Sequence, residues 1–512
     1  MIYDAIIVGG GHNALVAAAY LGRAGKRVLV LERLGEVGGA AVSAQAFDGV
    51  DARLSRYSYL VSLLPPRILD ELGAPVRLAR RRYSSYTPDP SCDGRRGLLI
   101  GPHSTFAAVG AQADAVGFVD FYRRCRLVTG PLWPTLTEPL LTRSEARMRV
   151  RADAAWRFMI DEPVGQAITS AVSHDLVRGV MATDAVIGTF ARLDDESLRQ
   201  NACFLYHVLG GGTGDWDVPV GGMGAVTSAL VGVALHNGAE IVVGADVFAL
   251  DPDGEVRYRV RADERRAHGR FVLAGVTPTK LAKLLGESAP ASAPGSQVKV
   301  NLMLRRLPRL PDTGVTAEQA FGGTFHINET FGQLEAAYGR AAGGEVPDPL
   351  PCEIYCHSLT DPSILSGPLR ASGAQTLTVF GLHTPHGVLD ESGLRERLTD
   401  AVMASLNSVL AEPVQDVLMK DAAGRPCVEV KTTFDLERTL GMTAGNIFHG
   451  GLSWPFAEDD EPLDTPARRW GVGTPHARIM LCGSGSRRGG GVSGVGGHNA
   501  AMAVLEALDA PK

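Results

Sequence analysis

The sequence predicts an α/β fold in which a parallel, doubly wound sheet is interrupted by a mixed α+β domain. Three observations predict it. Tyr3–Val8 is an apolar, strand-like run that turns at Gly9-Gly10-Gly11-His12-Asn13-Ala14 into a small-residue helix. A similar strand, glycine loop and helix close the chain: Ala477–Cys482, Gly483–Gly497 and His498–Leu508. With 512 residues, the chain is also too long for one core and sufficient for two or three domains.

The first element is the most specific. The opening helix ends near Gly25, and Val28–Leu31 forms a second strand that ends on Glu32. Strand, turn, helix, strand and terminal acid stand in the order of a βαβ nucleotide-binding unit. Gly9 permits the tight turn, Gly11 permits close approach of a pyrophosphate, and Ala14 is small enough for helix–strand packing. The free N–H groups at the helix N-terminus favour the diphosphate. Glu32 is placed to accept hydrogen bonds from an adenosine ribose, which suits either NAD or FAD. Gly38-Gly39 favours the longer dinucleotide, because a second glycine turn lets the chain pass beside a ligand that extends beyond the first pyrophosphate contact.

The middle of the chain reads differently. From Pro65 to Trp216 the pattern is mainly helical: Trp156, Met159 and Ile160 share a helical face, and Asp175–Ile187 spaces apolar residues at three or four. A glycine loop at 210–214 and the string Val218–Gly224 lead into a helix that ends near His236. Strands are expected at 240–243, 247–250, 256–260 and 270–274, with a turn at Asp251–Gly254. Ser288–Gly295 reads as a linker. Beyond it, strands at 298–304, 352–358 and 376–381 precede a helix over 394–410. The expected division is 1–75, 215–290 and 455–512 for the discontinuous nucleotide domain, and 76–214 with 291–454 for the substrate or cap domain.

Composition excludes several classes. Hydrophobic residues make up 45% and charged residues 21%, as in ordinary globular enzymes. A net charge of −6 gives no basis for a nucleic-acid partner. Cys92, Cys125, Cys203, Cys352, Cys356, Cys427 and Cys482 show neither a disulfide framework nor metal-ligand spacing, so no metal is expected. No apolar run reaches the roughly 20 residues that span a bilayer. With strand-like sequence starting at Tyr3, these features predict a cytoplasmic protein. Peripheral membrane contact and oligomeric state stay open, and Arg80-Arg81-Arg82 reads as a solvated surface or as an anion- or membrane-facing one.

The glycine-dense segment Gly483–Gly494 can press its backbone against a flat ring, and the helix beyond it can stabilise negative charge there. A domain whose two ends both build cofactor contacts is a flavoprotein arrangement. On these residues the chain resembles the phytoene desaturase-like, or carotenoid oxidoreductase, family of FAD enzymes. That family lies within the glutathione-reductase- and amine-oxidase-type fold, and the similarity is greatest to its pyridine nucleotide-disulfide oxidoreductase domain-containing protein 2 branch. The matching strings are Val8–Asn13, Ser58–Pro66, Asp175–Val180, Pro219–Gly224, Lys299–Leu302, Gly445–Gly450 and Gly489–Gly494.

The resemblance implies FAD held by Gly9, Gly11, His12, Asn13, Ala14, Glu32, Arg33, Gly38, Gly39, Ala40, Gly222, Met223, Gly483, Gly490, Gly491, Val492 and Asn499. It also implies that Val247 meets the adenine through its backbone. Arg487-Arg488 stands where the family usually carries His-Pro, so it is either a contact for a negatively charged or carbonyl-bearing substrate or an exposed pair. His449, Arg487 and Tyr57 are the catalytic candidates. His449 is a possible base for a proton loss that follows hydride transfer. His326 is a similar candidate, whereas His498 is expected to cap or pack the last helix. Trp133, Trp156, Phe158 and Phe204 line either a tunnel or the core. The implied activity is hydride transfer between a small hydrophobic, polyene-like molecule and flavin, with O2, quinone or NAD(P) as electron acceptor. Amine oxidation and a non-catalytic prenyl-binding module are the alternatives.

Overall fold

The computed structural model describes residues 2–509. Its first sheet is built around Ile2–Val8, with Val28–Glu32 on one side and Asp263–Ala274 on the other, both parallel to it. Glu240–Val243 extends the sheet beyond Val28–Glu32, and Ile479–Leu481 extends it beyond Asp263–Ala274, again in parallel. Numbered along the chain, these five strands lie in the order 3-2-1-4-5. The connection therefore reverses between the first strand and the fourth. A crevice at the carboxyl ends of the strands is expected there. The long strand Asp263–Ala274 also pairs with Glu255–Val260, which pairs with Ala245–Leu250 in an antiparallel meander.

The first helix, His12–Arg23, and the last, Val495–Asp509, lie together on one face of this sheet. Small residues make the close approach possible. A β-carbon on Gly497 would sit 1.8 Å from the carbonyl oxygen of Asn13. Gly497→Ala should therefore force the helices apart and lower stability by about 3 kcal/mol, measurable by urea denaturation. A loss below about 1 kcal/mol would show that the pair relaxes.

The second sheet has seven strands in the order 428–431, 296–304, 375–385, 352–355, 324–327, 85–88 and 97–100. Only the pairing of Thr324–Ile327 with Ser85–Pro88 is parallel. The expected helical stretch from Pro65 to Trp216 thus contains strands at Leu78–Arg80, Ser85–Pro88 and Gly97–Ile100. Ser85–Pro88 is fully buried between the nearby strand Gly97–Ile100 and distant residues 324 and 325, so its place inside the sheet depends on distant chain. Helices then cover one wall of the molecule. Trp156, Phe158 and Phe204 belong to the core there, and Trp133 packs against it. The last helix begins at Val495, three residues before the expected start. All seven cysteines are unpaired. Among the described residues, no helix is long and apolar enough to cross a membrane.

Candidate functional site

A cavity of about 720 Å³ opens at the strand reversal and runs between the two sheets. Its cofactor-like end is made by main chain. Gly9 takes φ 93°, which a side chain would strain, and Gly275, just past the end of the fourth strand, donates its N–H to the carbonyl of Val8. Gly483 packs against Gly275, so the N-terminal and C-terminal glycine loops meet at one point. Gly11 has ordinary backbone angles, φ −67° and ψ 167°. A β-carbon there meets no atom within 4 Å, and Gly11 lines the cavity.

Glu32 is buried, and its carboxylate accepts the N–H of Gly10 at 2.7 Å and of Leu34 at 2.7 Å. These two bonds hold the turn. The carboxylate retains further lone pairs at the cavity wall. Arg33, Gly39, Ala40, Val247, Gly491 and Val492 line the same end, as do His12, Asn13, Ala14 and Gly483. Four buried polar atoms of lining residues have no hydrogen-bond partner among the described residues: His12 Nε2, Asn13 Oδ1, His449 Nδ1 and Asp217 Oδ1. Burial lowers both imidazoles to about 4, so both are neutral at pH 7. His449 holds φ 64° beside Pro278 and Gly485, and Tyr57 also reaches the cavity.

The remaining expected site residues are placed elsewhere. Gly38 docks onto the first turn, its N–H bonded to the Gly10 carbonyl, and only Gly39 of the doublet faces the cavity. Gly222 packs on Ser43, and the N–H of Met223 bonds Ser55 Oγ, which starts the helix Met223–His236. Gly490 is closed off by Leu452. Asn499 donates to the Leu136 carbonyl, and His498 packs edge-on against Tyr20 and Trp470.

Arg487 is a structural correction. Its guanidinium pairs with both oxygens of Glu461 at 2.9 Å and bonds the Phe456 carbonyl, away from the cavity. Arg487→Ala should leave cofactor content and turnover within about two-fold and reduce stability by about 1 kcal/mol or less, as for other half-exposed ion pairs. A ten-fold loss of turnover at normal cofactor content would restore it to the site. Arg488 is neither exposed nor at the cavity: it is 2% exposed and binds three main-chain carbonyls.

The opposite end of the cavity combines apolar walls with polar groups: the candidate His326, and Lys299 and Glu353, to which the sequence reading gave no role. Phe118, Val180 and Ile187 supply apolar wall. Lys299 is buried, donates to the Ser55 carbonyl at 2.6 Å and lies 4.9 Å from the Tyr59 ring centre. Burial brings its ammonium down to about 7. Glu353 and His326 also line this end. A visible signal existed for Lys299 and Glu353: each is a charge inside an otherwise buried strand, Ser296–Leu304 and Cys352–Tyr355.

Comparison with known proteins agrees with the geometry. Residues 7–67 match the NAD(P)-binding Rossmann-like domain. The chain is 68% identical to Rv0897c of Mycobacterium tuberculosis over 521 residues, covering 99% of this chain and 97% of the relative. The chain belongs to the Rv0897c family. It is also homologous to the pyridine nucleotide-disulfide oxidoreductase domain-containing protein 2 of Rattus norvegicus, at 29% identity over 99% of this chain and 94% of that one. The fold matches a putrescine oxidase variant with a TM-score of 0.59, at 15% identity and 99% coverage of both chains. This family member thus carries an amine-oxidase-type α/β fold around the crevice described above.

Proposed function

We propose that this chain is an FAD-dependent oxidoreductase that moves hydride to or from an apolar small molecule. The observation that carries the proposal is the meeting of both glycine loops at the sheet's reversal point, on a cavity long enough to continue past them to a second, mixed end. The residues present fit the group. Glu32 has lone pairs for ribose hydroxyls, the N-terminus of His12–Arg23 faces the diphosphate position, and His12, Asn13 and His449 supply unpartnered polar atoms. When bound, FAD supplies a two-electron carrier at N5. The chain's own contribution is to hold the substrate's C–H against that position, to exclude water with apolar wall, and to manage protons. Lys299 suits the last task, because its ammonium titrates near neutrality. The intact cradle supports an enzyme over a module that has lost its cofactor. Dehydrogenation of a polyene-like molecule, with O2, quinone or NAD(P) as acceptor, is part of this proposal.

Purified protein should be yellow or become so with added FAD. The flavin absorbance should then bleach anaerobically with a reducing partner from a panel of polyenes, amines and NAD(P)H. A colourless protein that cannot be reconstituted would end the proposal.

A further inference from the structure

The polar end of the cavity is built, rather than incidental. His326 and Glu353 are direct cross-strand partners, so their side chains leave the same face of the second sheet and both reach the cavity. Behind them, His326 Nδ1 lies 2.6 Å from Glu329 Oε2, and Glu329 is 1% exposed. Since a carboxylate accepts, Nδ1 carries a proton, and Nε2 makes no hydrogen bond to another described residue. Glu353 is fixed on both oxygens: Thr183 Oγ1 donates to one at 3.2 Å, and the Tyr355 hydroxyl donates to the other at 2.7 Å. Arg81 lines the same end, anchored to the Trp216 carbonyl and Thr324.

A hydrocarbon filling this space would leave His326 Nε2 and a proton on Glu353 desolvated and unpartnered, which costs about 1–3 kcal/mol for each. We propose that this end holds a carbonyl oxygen between the carboxyl O–H of Glu353 and the Nε2–H of a His326 imidazolium paired with Glu329, so that the substrate is an apolar molecule carrying a ketone or aldehyde. The inference rests on the cavity being the substrate site of the proposed oxidoreductase.

Protonation agrees with a donor site. Burial, and then the charge of Glu329, raises Glu353 to about 8. His326 is raised as well: burial alone would lower it, and the Glu329 carboxylate more than offsets that. The other groups facing Glu353 are Tyr355 on its own strand, Asp184 from the turn Thr183–Ala185, Tyr59 and Arg81. Below about pH 8 Glu353 is a neutral donor. Above it, the carboxylate is an acceptor that opposes another acceptor.

The test is calorimetric titration of the purified, FAD-treated protein with four probes of one shape: cyclohexanone, cyclohexene, cyclohexylamine and cyclohexanecarboxylate. Cyclohexanone should bind at least ~10-fold tighter than the others. Its affinity should fall ~10-fold between pH 7 and 9, following the protonated fraction of Glu353. Glu353→Gln, whose amide still donates, should keep binding within ~3-fold at pH 7 and lose the pH dependence. Glu353→Leu should lose ~10-fold, with folding checked by its melting curve. Preference for the amine or for the carboxylate would overturn the proposal, as would unchanged ketone binding in folded Glu353→Leu. So would a stoichiometric divalent ion found by elemental analysis at His326, Glu329 and Glu353, whose ligand atoms lie within 4.8 Å of one another. Flavin absorbance is read on the same samples, so failure of the cofactor reading and failure of the carbonyl reading are separate results.

Discussion

Gly11→Leu should give a folded protein that retains no flavin. The two halves of this expectation come from different features of one residue. The backbone angles at Gly11 suit any amino acid, and no atom lies within 4 Å of an added β-carbon. Stability should therefore change by about 0.5 kcal/mol or less. The open space is the cavity itself, where the diphosphate would approach the N-terminus of His12–Arg23. A leucine side chain there occupies the ligand's path. The measurement is flavin absorbance per mole of protein, beside a urea melt of the same sample. A variant that stays fully yellow would contradict the placement of the cofactor. A variant that unfolds would contradict the claim that the space is empty of protein.

Arg488→Met should be among the most destabilising changes in the C-terminal loop. The guanidinium donates to the carbonyls of Thr135, Glu138 and Trp470, at 2.7, 2.8 and 3.1 Å. It thereby ties the glycine loop to the helical wall at Trp133–Thr137 and to the segment after Pro466–Arg469. Burial lowers Arg488 to about 10, which measures how far the charge has left water. Methionine keeps most of the volume but leaves the Glu138 and Trp470 carbonyls without a donor, whereas the Thr135 carbonyl keeps the N–H of Glu138. At about 1–3 kcal/mol for each stranded group, offset by the relief of a buried charge, the net loss should be about 3 kcal/mol. Flavin content should fall with it, because Gly491 and Val492 lie just beyond this tether. A urea midpoint within about 1 kcal/mol of the parent would show that the three bonds are dispensable.

The contrast between Arg487 and Arg488 shows where sequence reading stops. Two adjacent arginines in a glycine-rich loop offered either a substrate contact or a solvated pair. Neither reading describes them, because two of the three partners of Arg488 lie about 350 positions away and Arg487 meets Glu461 across a fold of the chain. The same holds for Glu353 and His326, which become neighbours only through strand register. Gly222, Met223, Gly490 and Asn499 sit in or beside strings that match the family, and their structural work is to pack helices and loops behind the cavity.

By itself, the sequence determined the nucleotide-binding core. Glycines 9–11, the helix they open and the acid at position 32 are contiguous in the chain, and their geometry follows from local backbone rules. Local periodicity likewise located the last helix and the first two strands of the meander to within a few residues, while the third strand, Asp263–Ala274, begins seven residues before its expected start. Tertiary structure alone decided which side chains face the cavity beyond the glycine loops, and which strands of the region 78–100 exist. Those choices rest on register and on long-range pairing: Leu78–Arg80 meets Asp217–Pro219, Ser85 and Tyr86 meet Thr324 and Phe325, and the local pattern carries no trace of these partners.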